Sequence, residues 1–123
     1  MILVDTSVWI DHLRHSNNTL MNLLNTGRVL AHSFIIGELA LGNLQQRDAI
    51  LDALNNIPRA KIATDEEVLT LINQSKLYGL GVGYIDAHLL ASVRLTPSAL
   101  LWTQDKRLGK AAEQLGLLAA LGH

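Results

Sequence analysis

Ile2-Leu3-Val4-Asp5-Thr6-Ser7-Val8-Trp9-Ile10-Asp11 is the stretch whose reading decides the fold. Ile2, Leu3 and Val4 form a short apolar run with no polar alternation, as in a strand buried on both faces. The run stops at a carboxylate, and Val8, Ile10 and Leu13 then suit a short helix. Outward from this unit the same alternation recurs. Thr19–Leu24 suits a helix closed by Gly27, Arg28–Ala31 a strand, and Ser33–Leu41 a helix N-capped by Ser33. Arg47–Asn55 suits a helix, Lys61–Ala63 a weak strand, and a helix begins at Thr64 or Asp65. Ile85–Val93 is an almost wholly apolar helix, Ala99–Thr103 a strand, Lys106–Leu115 a helix and Leu117–Ala120 a last strand. Repeated β–α alternation with apolar strands predicts an α/β/α sandwich around a central parallel sheet of about five short strands. The 123 residues suit one domain, 1–123. Ligands of such folds sit beyond the carboxyl ends of the strands, so Asp5, Thr103 and Asp105 matter most.

Composition narrows the chemistry. There is no Cys, which excludes disulfides, thiolate metal sites and cysteine nucleophiles. Ten Lys and Arg oppose eleven Asp and Glu, so the chain is not a strongly basic nucleic-acid binder, although a local patch remains open. Two Trp, two Tyr and one Phe leave little for base stacking. No apolar run reaches the roughly 18–20 residues that span a membrane. The N-terminus has no basic segment ahead of its apolar run. The expectation is a cytoplasmic protein without membrane contact.

Four carboxylates stand apart from the others. Glu38 lies inside Phe34-Ile35-Ile36-Gly37-Glu38-Leu39-Ala40-Leu41, where a buried charge costs several kcal/mol unless paired or metal-bound. Asp86 opens the apolar helix, and Asp105 precedes Lys106-Arg107-Leu108; each equally suits an N-cap. Asp5 suits a cap less well, because Thr6 and Ser7 follow at once. Taken jointly, four such placements are better explained by one site than by four separate caps and edges. Clustered carboxylates without thiolates make a hard, all-oxygen site suited to Mg²⁺ or Mn²⁺. Their mutual repulsion demands a cation or a shared proton, and such sites favour phosphodiester chemistry.

At these residues the sequence resembles the PIN-domain family, and within it the VapC-type toxins of bacterial toxin–antitoxin pairs. The resemblance runs through Ile2–Asp11, Ile36-Gly37-Glu38-Leu39 with Gly42, Asp86-Ala87-His88-Leu89-Leu90-Ala91, and Leu101-Trp102-Thr103-Gln104-Asp105. It implies a metal-dependent endoribonuclease, the toxin of a type II pair, that hydrolyses RNA phosphodiesters through a metal-activated water. It places Asp5, Glu38, Asp86 and Asp105 in the catalytic, metal-binding cluster, with Ser7 and Thr103 as supporting hydroxyls. It also implies a homodimer and inhibition by a cognate antitoxin. Many members carry a further acid and an aromatic after the fourth carboxylate. Here Lys106, Arg107 and Leu108 follow, so ligation at that point rests on Asp105 alone.

Lys106, Arg107 and Lys110 sit on the same helix as one another, which suits phosphate contact or an ordinary solvated face. Arg14 would flank the same mouth, giving Arg14, Lys106 and Arg107 as candidate substrate-binding residues. Gly79-x-Gly81-x-Gly83 follows no strand and is not a nucleotide fingerprint. It suits a close backbone approach to the acidic centre. Two other functions fit the acids. One is a PIN-like module that binds a metal or partner without catalysis. The other is an aspartyl-phosphate phosphotransferase, which Ser7 opposes by standing where a second Asp is usual.

Overall fold

The computed structural model describes residues 1–121. β1 (Ile2–Val4) is the middle strand of a parallel sheet, with β2 (Val29–Leu30) on one side and β3 (Leu100–Trp102) on the other. Ile2, Leu3 and Val4 are all buried, as a central parallel strand covered on both faces requires. α1 (Thr6–His15) and α2 (Asn18–Asn25) connect β1 to β2. α3 (Ser33–Leu41), α4 (Arg47–Asn55), α5 (Asp65–Gln74) and α6 (Tyr84–Leu95) then lead to β3, and α7 (Lys106–Gln114) follows it. Among the described residues no helix is long and apolar enough to cross a membrane.

The sheet has three strands rather than about five. The two expected edge strands shrink to single bridges, Ala31 to Arg59 and Leu101 to Leu118, both parallel. The first lies two residues before Lys61, directly after Pro58, and the chain then leaves the sheet. Lys61 N instead donates to Thr96 Oγ1 (2.9 Å), which ends the ladder. The second is held by Leu101 N to Leu117 O (2.7 Å) and Ala119 N to Leu101 O (2.8 Å). Each edge makes one rung and no more.

The helix starts follow capping chemistry. Thr64 and Glu67 form a reciprocal capping box at α5. Ser33 is not the cap of α3: His32 is, its Nδ1 accepting from Phe34 N (3.0 Å). Gly83, not Asp86, caps α6, so Asp86 sits inside the first turn. Asp105 does cap α7, with Oδ1 accepting from Leu108 N (3.0 Å). The core runs through the strands into Val8, Leu20, Ile35, Leu39, Leu54, Leu89, Leu90 and Leu108. Trp9 and Trp102 are buried within it.

Candidate active site

The register of β1 against β3 builds the centre. Val4 pairs with Trp102, so the residues just beyond, Asp5 and Thr103, emerge side by side. Asp5 N donates to Trp102 O (2.9 Å), which locks that junction. Asp5 occupies the N-cap position of α1 but makes no capping bond with its side chain. Its Oδ2 instead accepts from Ser7 Oγ and from Thr103 Oγ1, each at 2.8 Å. Both hydroxyls are themselves acceptors: Gln104 N donates to Ser7 Oγ (3.0 Å) and Asp105 N to Thr103 Oγ1 (3.0 Å). Each backbone N–H occupies a hydroxyl lone pair and leaves the hydroxyl proton aimed at Asp5. The two donor chains polarise one another and fix the carboxylate.

The other acids arrive from three helices. Glu38 stands on α3, where Thr6 Oγ1 donates to its Oε1 (2.9 Å). It is exposed, contrary to the desolvation expected from its apolar segment. Only Ile35 and Leu39 of α3 are buried; they lie one turn apart, Gly37 faces the other way, and Glu38 stands at the edge of the buried stripe. Asp105 is exposed at the start of α7, with one oxygen committed to its cap. Asp86 is the half-buried one, on the first turn of α6. No hydrogen bond reaches its carboxylate among the described residues. Its pKa is pushed up to about 6, first by burial and then by the charges of Asp5, Asp105 and Glu38. The four expected carboxylates therefore share one electrostatic neighbourhood, and no Lys or Arg among the described residues forms an ion pair with any of them.

Hydrogen bonds orient three of the acids, and the fourth is left unpaired in a surplus of negative charge. That donor set is hard and all-oxygen, and it fits a divalent cation. Among the described residues no three His, Asp or Glu side chains close into a ready-made cage.

Ser7 and Thr103 stand where the sequence places them, on Asp5. Lys106 and Arg107 are exposed on α7, next to Asp105. Arg14 is exposed on the last turn of α1, and no hydrogen bond or ion pair ties it to the acids. Sequence reasoning treated Thr6 only as a possible cap and missed its bond to Glu38. It also missed Gln104, whose Nε2 donates to Asp11 Oδ2 (3.3 Å) at the rim. Thr6 lies between Asp5 and Ser7, and the run of two hydroxyls behind an acid was the available signal.

Residues 2–114 match the model of the PIN domain. The chain is also similar to Ribonuclease VapC32 from two strains of Mycobacterium tuberculosis, CDC 1551 / Oshkosh and ATCC 25618 / H37Rv. Each is 48% identical over 120 residues, covering 98% of this chain and 97% of the relative.

Proposed function

The chain belongs to the PIN-domain family, and from that premise we propose that it is a metal-dependent endoribonuclease, the toxin of a toxin–antitoxin pair. The observation that carries this reading is the gathering of Asp5, Glu38, Asp86 and Asp105 beyond one end of the parallel sheet, with no Lys or Arg among the described residues paired to them. The 48% identity to a ribonuclease over nearly the full chain supports the substrate class.

Asp5 and Asp86 would hold Mg²⁺ or Mn²⁺, with Glu38 and Asp105 completing its surroundings. When bound, the cation neutralises charge at the scissile phosphate and makes water acidic enough to attack near neutral pH. The protein's own residues prepare for this. Ser7 and Thr103 hold the Asp5 carboxylate in place by donating to Oδ2. Thr6 tethers the exposed Glu38 by donating to its Oε1. Asp105 holds its second oxygen free while the first caps α7. Asp86, unpartnered, is the acid with most to gain from a counter-charge. Arg14, Lys106 and Arg107 are proposed to meet substrate phosphates.

The partners in this reading are RNA, a second copy of the chain and a cognate antitoxin, all in the cytoplasm. A guanidinium of the antitoxin matches carboxylate geometry and can stand in for the cation. The test is cleavage of RNA by the purified protein with Mg²⁺ or Mn²⁺, followed by analysis of the new ends. Hydrolysis by water leaves a 5′-phosphate and a 3′-hydroxyl, and EDTA abolishes it. A 2′,3′-cyclic phosphate, or cleavage indifferent to EDTA, contradicts the reading.

A further inference from the structure

Lys106, Arg107 and Lys110 are three of the chain's ten basic residues, within five positions of α7. Spacings of three and four residues bring helical side chains to about 5–6 Å of one another, of the order of the step between successive phosphates of a strand. None of the three forms an ion pair among the described residues. With Gly79, Leu80 and Gln114 they line a groove of about 420 Å³. Lys106 also borders a second hollow of about 430 Å³, shared with Thr103, Gln104 and Asp105. The basic groove thus continues through Lys106 to the edge of the acidic cluster.

Arg107 is seated in an unusual way. A Cβ at position 81 would lie 2.8 Å from its Cδ, 3.0 Å from one terminal guanidinium nitrogen and 3.2 Å from Nε. The arginine therefore lies against the bare Gly81 backbone, and a side chain there would push it aside. Gly81 also has φ +78°, which disfavours any side chain there. Arginine's planar fork is pre-organised, so it loses little freedom for each bond it makes to a phosphate.

We propose that this groove is a phosphate track for the stretch of RNA flanking the scissile position, with Lys110 as its outer cation and Gly81 as the seat that lays Arg107 along it. The proposal rests on the ribonuclease reading above and adds to it the path of the substrate. The acidic centre repels a polyanion, and cations continuous with its rim offset that repulsion where the strand enters. The charge alone would also attract an acidic protein segment, but continuity with the carboxylate centre favours the strand on which that centre acts.

The test compares wild type with Arg107→Ala/Lys110→Ala, Gly81→Ala and the control Arg94→Ala, a surface arginine of α6. Steady-state cleavage of one RNA is measured in Mn²⁺. Binding of a fluorescein-labelled mixed-sequence RNA 12-mer is measured in Ca²⁺ across a salt series. The double variant should raise KM about tenfold with kcat within a factor of about two, and should flatten the salt dependence by about 1.4 units of log–log slope. Gly81→Ala should raise KM several-fold with no charge removed, and Arg94→Ala should change neither parameter. Should Gly81→Ala melt too low to assay, Arg107→Lys tests the same point: the charge stays, the fork is lost, and KM should lie between the two.

Unchanged KM in the double variant, or a loss no larger than that of Arg94→Ala, overturns the groove while cleavage by wild type leaves the ribonuclease reading standing. Polyglutamate that displaces the 12-mer as well as unlabelled RNA does also overturns it, in favour of an acidic protein partner. Wild type that neither cleaves nor binds RNA overturns both.

Discussion

The same two helices contribute to two polar regions of opposite character. α3 begins at His32 and carries Glu38; α6 carries Asp86 on its first turn and Ser92 further along. In the interior, His32 is fully satisfied. Its Nδ1 accepts from Phe34 N, which leaves the proton on Nε2 to donate to Ser92 Oγ (2.9 Å). Burial, and then the charges of His88 and Arg59, lower its pKa to about 4, so it stays neutral near pH 7. At the sheet's end Asp86 has no partner, and burial and like charges raise its pKa to about 6. A buried polar group whose bonds are complete is structural. A half-buried charge with no hydrogen bond, among like charges, is one that a counter-charge would relieve.

The largest expected effect separates the two regions by activity. Asp86→Asn should cut RNA cleavage on the order of 10³-fold or more, at least about 4 kcal/mol of barrier, while the protein stays folded. His32→Gln should leave the specific activity of the folded fraction within a few-fold of wild type. Gel-based cleavage rates with circular dichroism on the same samples check both. Full activity in Asp86→Asn would erase the contrast.

How much of this contrast was legible in the sequence depends on the residue. β1 and its closing Asp5 were, because three consecutive apolar residues ending in an acid have few other readings. The location of Asp86 at the site was legible, but its role at the helix start was not. Asp is a favoured cap, and nothing local reveals that Gly83 takes that place three residues earlier. The exposure of Glu38 was hidden because Phe34, Ile36 and Leu41 surround it with apolar residues that are not fully buried, so α3 has no clean periodicity. The strand count was overestimated because a one-rung ladder and a short strand look alike in an apolar run. The His32 cap was missed because histidine rarely competes with Ser, and Ser33 stood beside it.

The second effect concerns stability. His32→Ala removes a fully buried ring, orphans the Ser92 hydroxyl and uncaps α3. The loss should be about 2–4 kcal/mol, read from urea unfolding midpoints. A loss under about 1 kcal/mol would mean that the interior pair is not the structural pole of the comparison.

The third effect is a difference in sign with pH, measured in EDTA. The folded His32 takes up its proton only near pH 4, whereas unfolded histidine does so at 6.5. The unfolded state therefore binds more protons between those values, and stability falls as pH drops through them, by about 2–3 kcal/mol in all. Asp86 works the other way. Its folded pKa of about 6 exceeds the ordinary 3.8, so the folded state binds more protons in between, and stability falls as pH rises. Its partial exposure screens the effect to roughly half that of His32. Asp86→Asn should therefore lose stability on acidification more steeply than wild type between about pH 6 and 4. His32→Gln should hold or gain stability over the same range. Parallel pH profiles for all three proteins would contradict the assignment of opposite signs.

The most direct test of the central claim, that Asp86 is a site residue awaiting a cation, is thermal melting of wild type and Asp86→Asn at pH 7 in EDTA and in Mn²⁺. In EDTA the variant should be as stable as wild type or about 1 kcal/mol more stable. Relief of repulsion outweighs the ~0.3–1 kcal/mol that a negative charge gains in a helix's first turn. Mn²⁺ at a hundred times its Kd should stabilise wild type by about 2.7 kcal/mol and the variant by much less. A variant clearly less stable than wild type in EDTA, yet equally stabilised by Mn²⁺, would make Asp86 a structural residue of α6 and contradict the account.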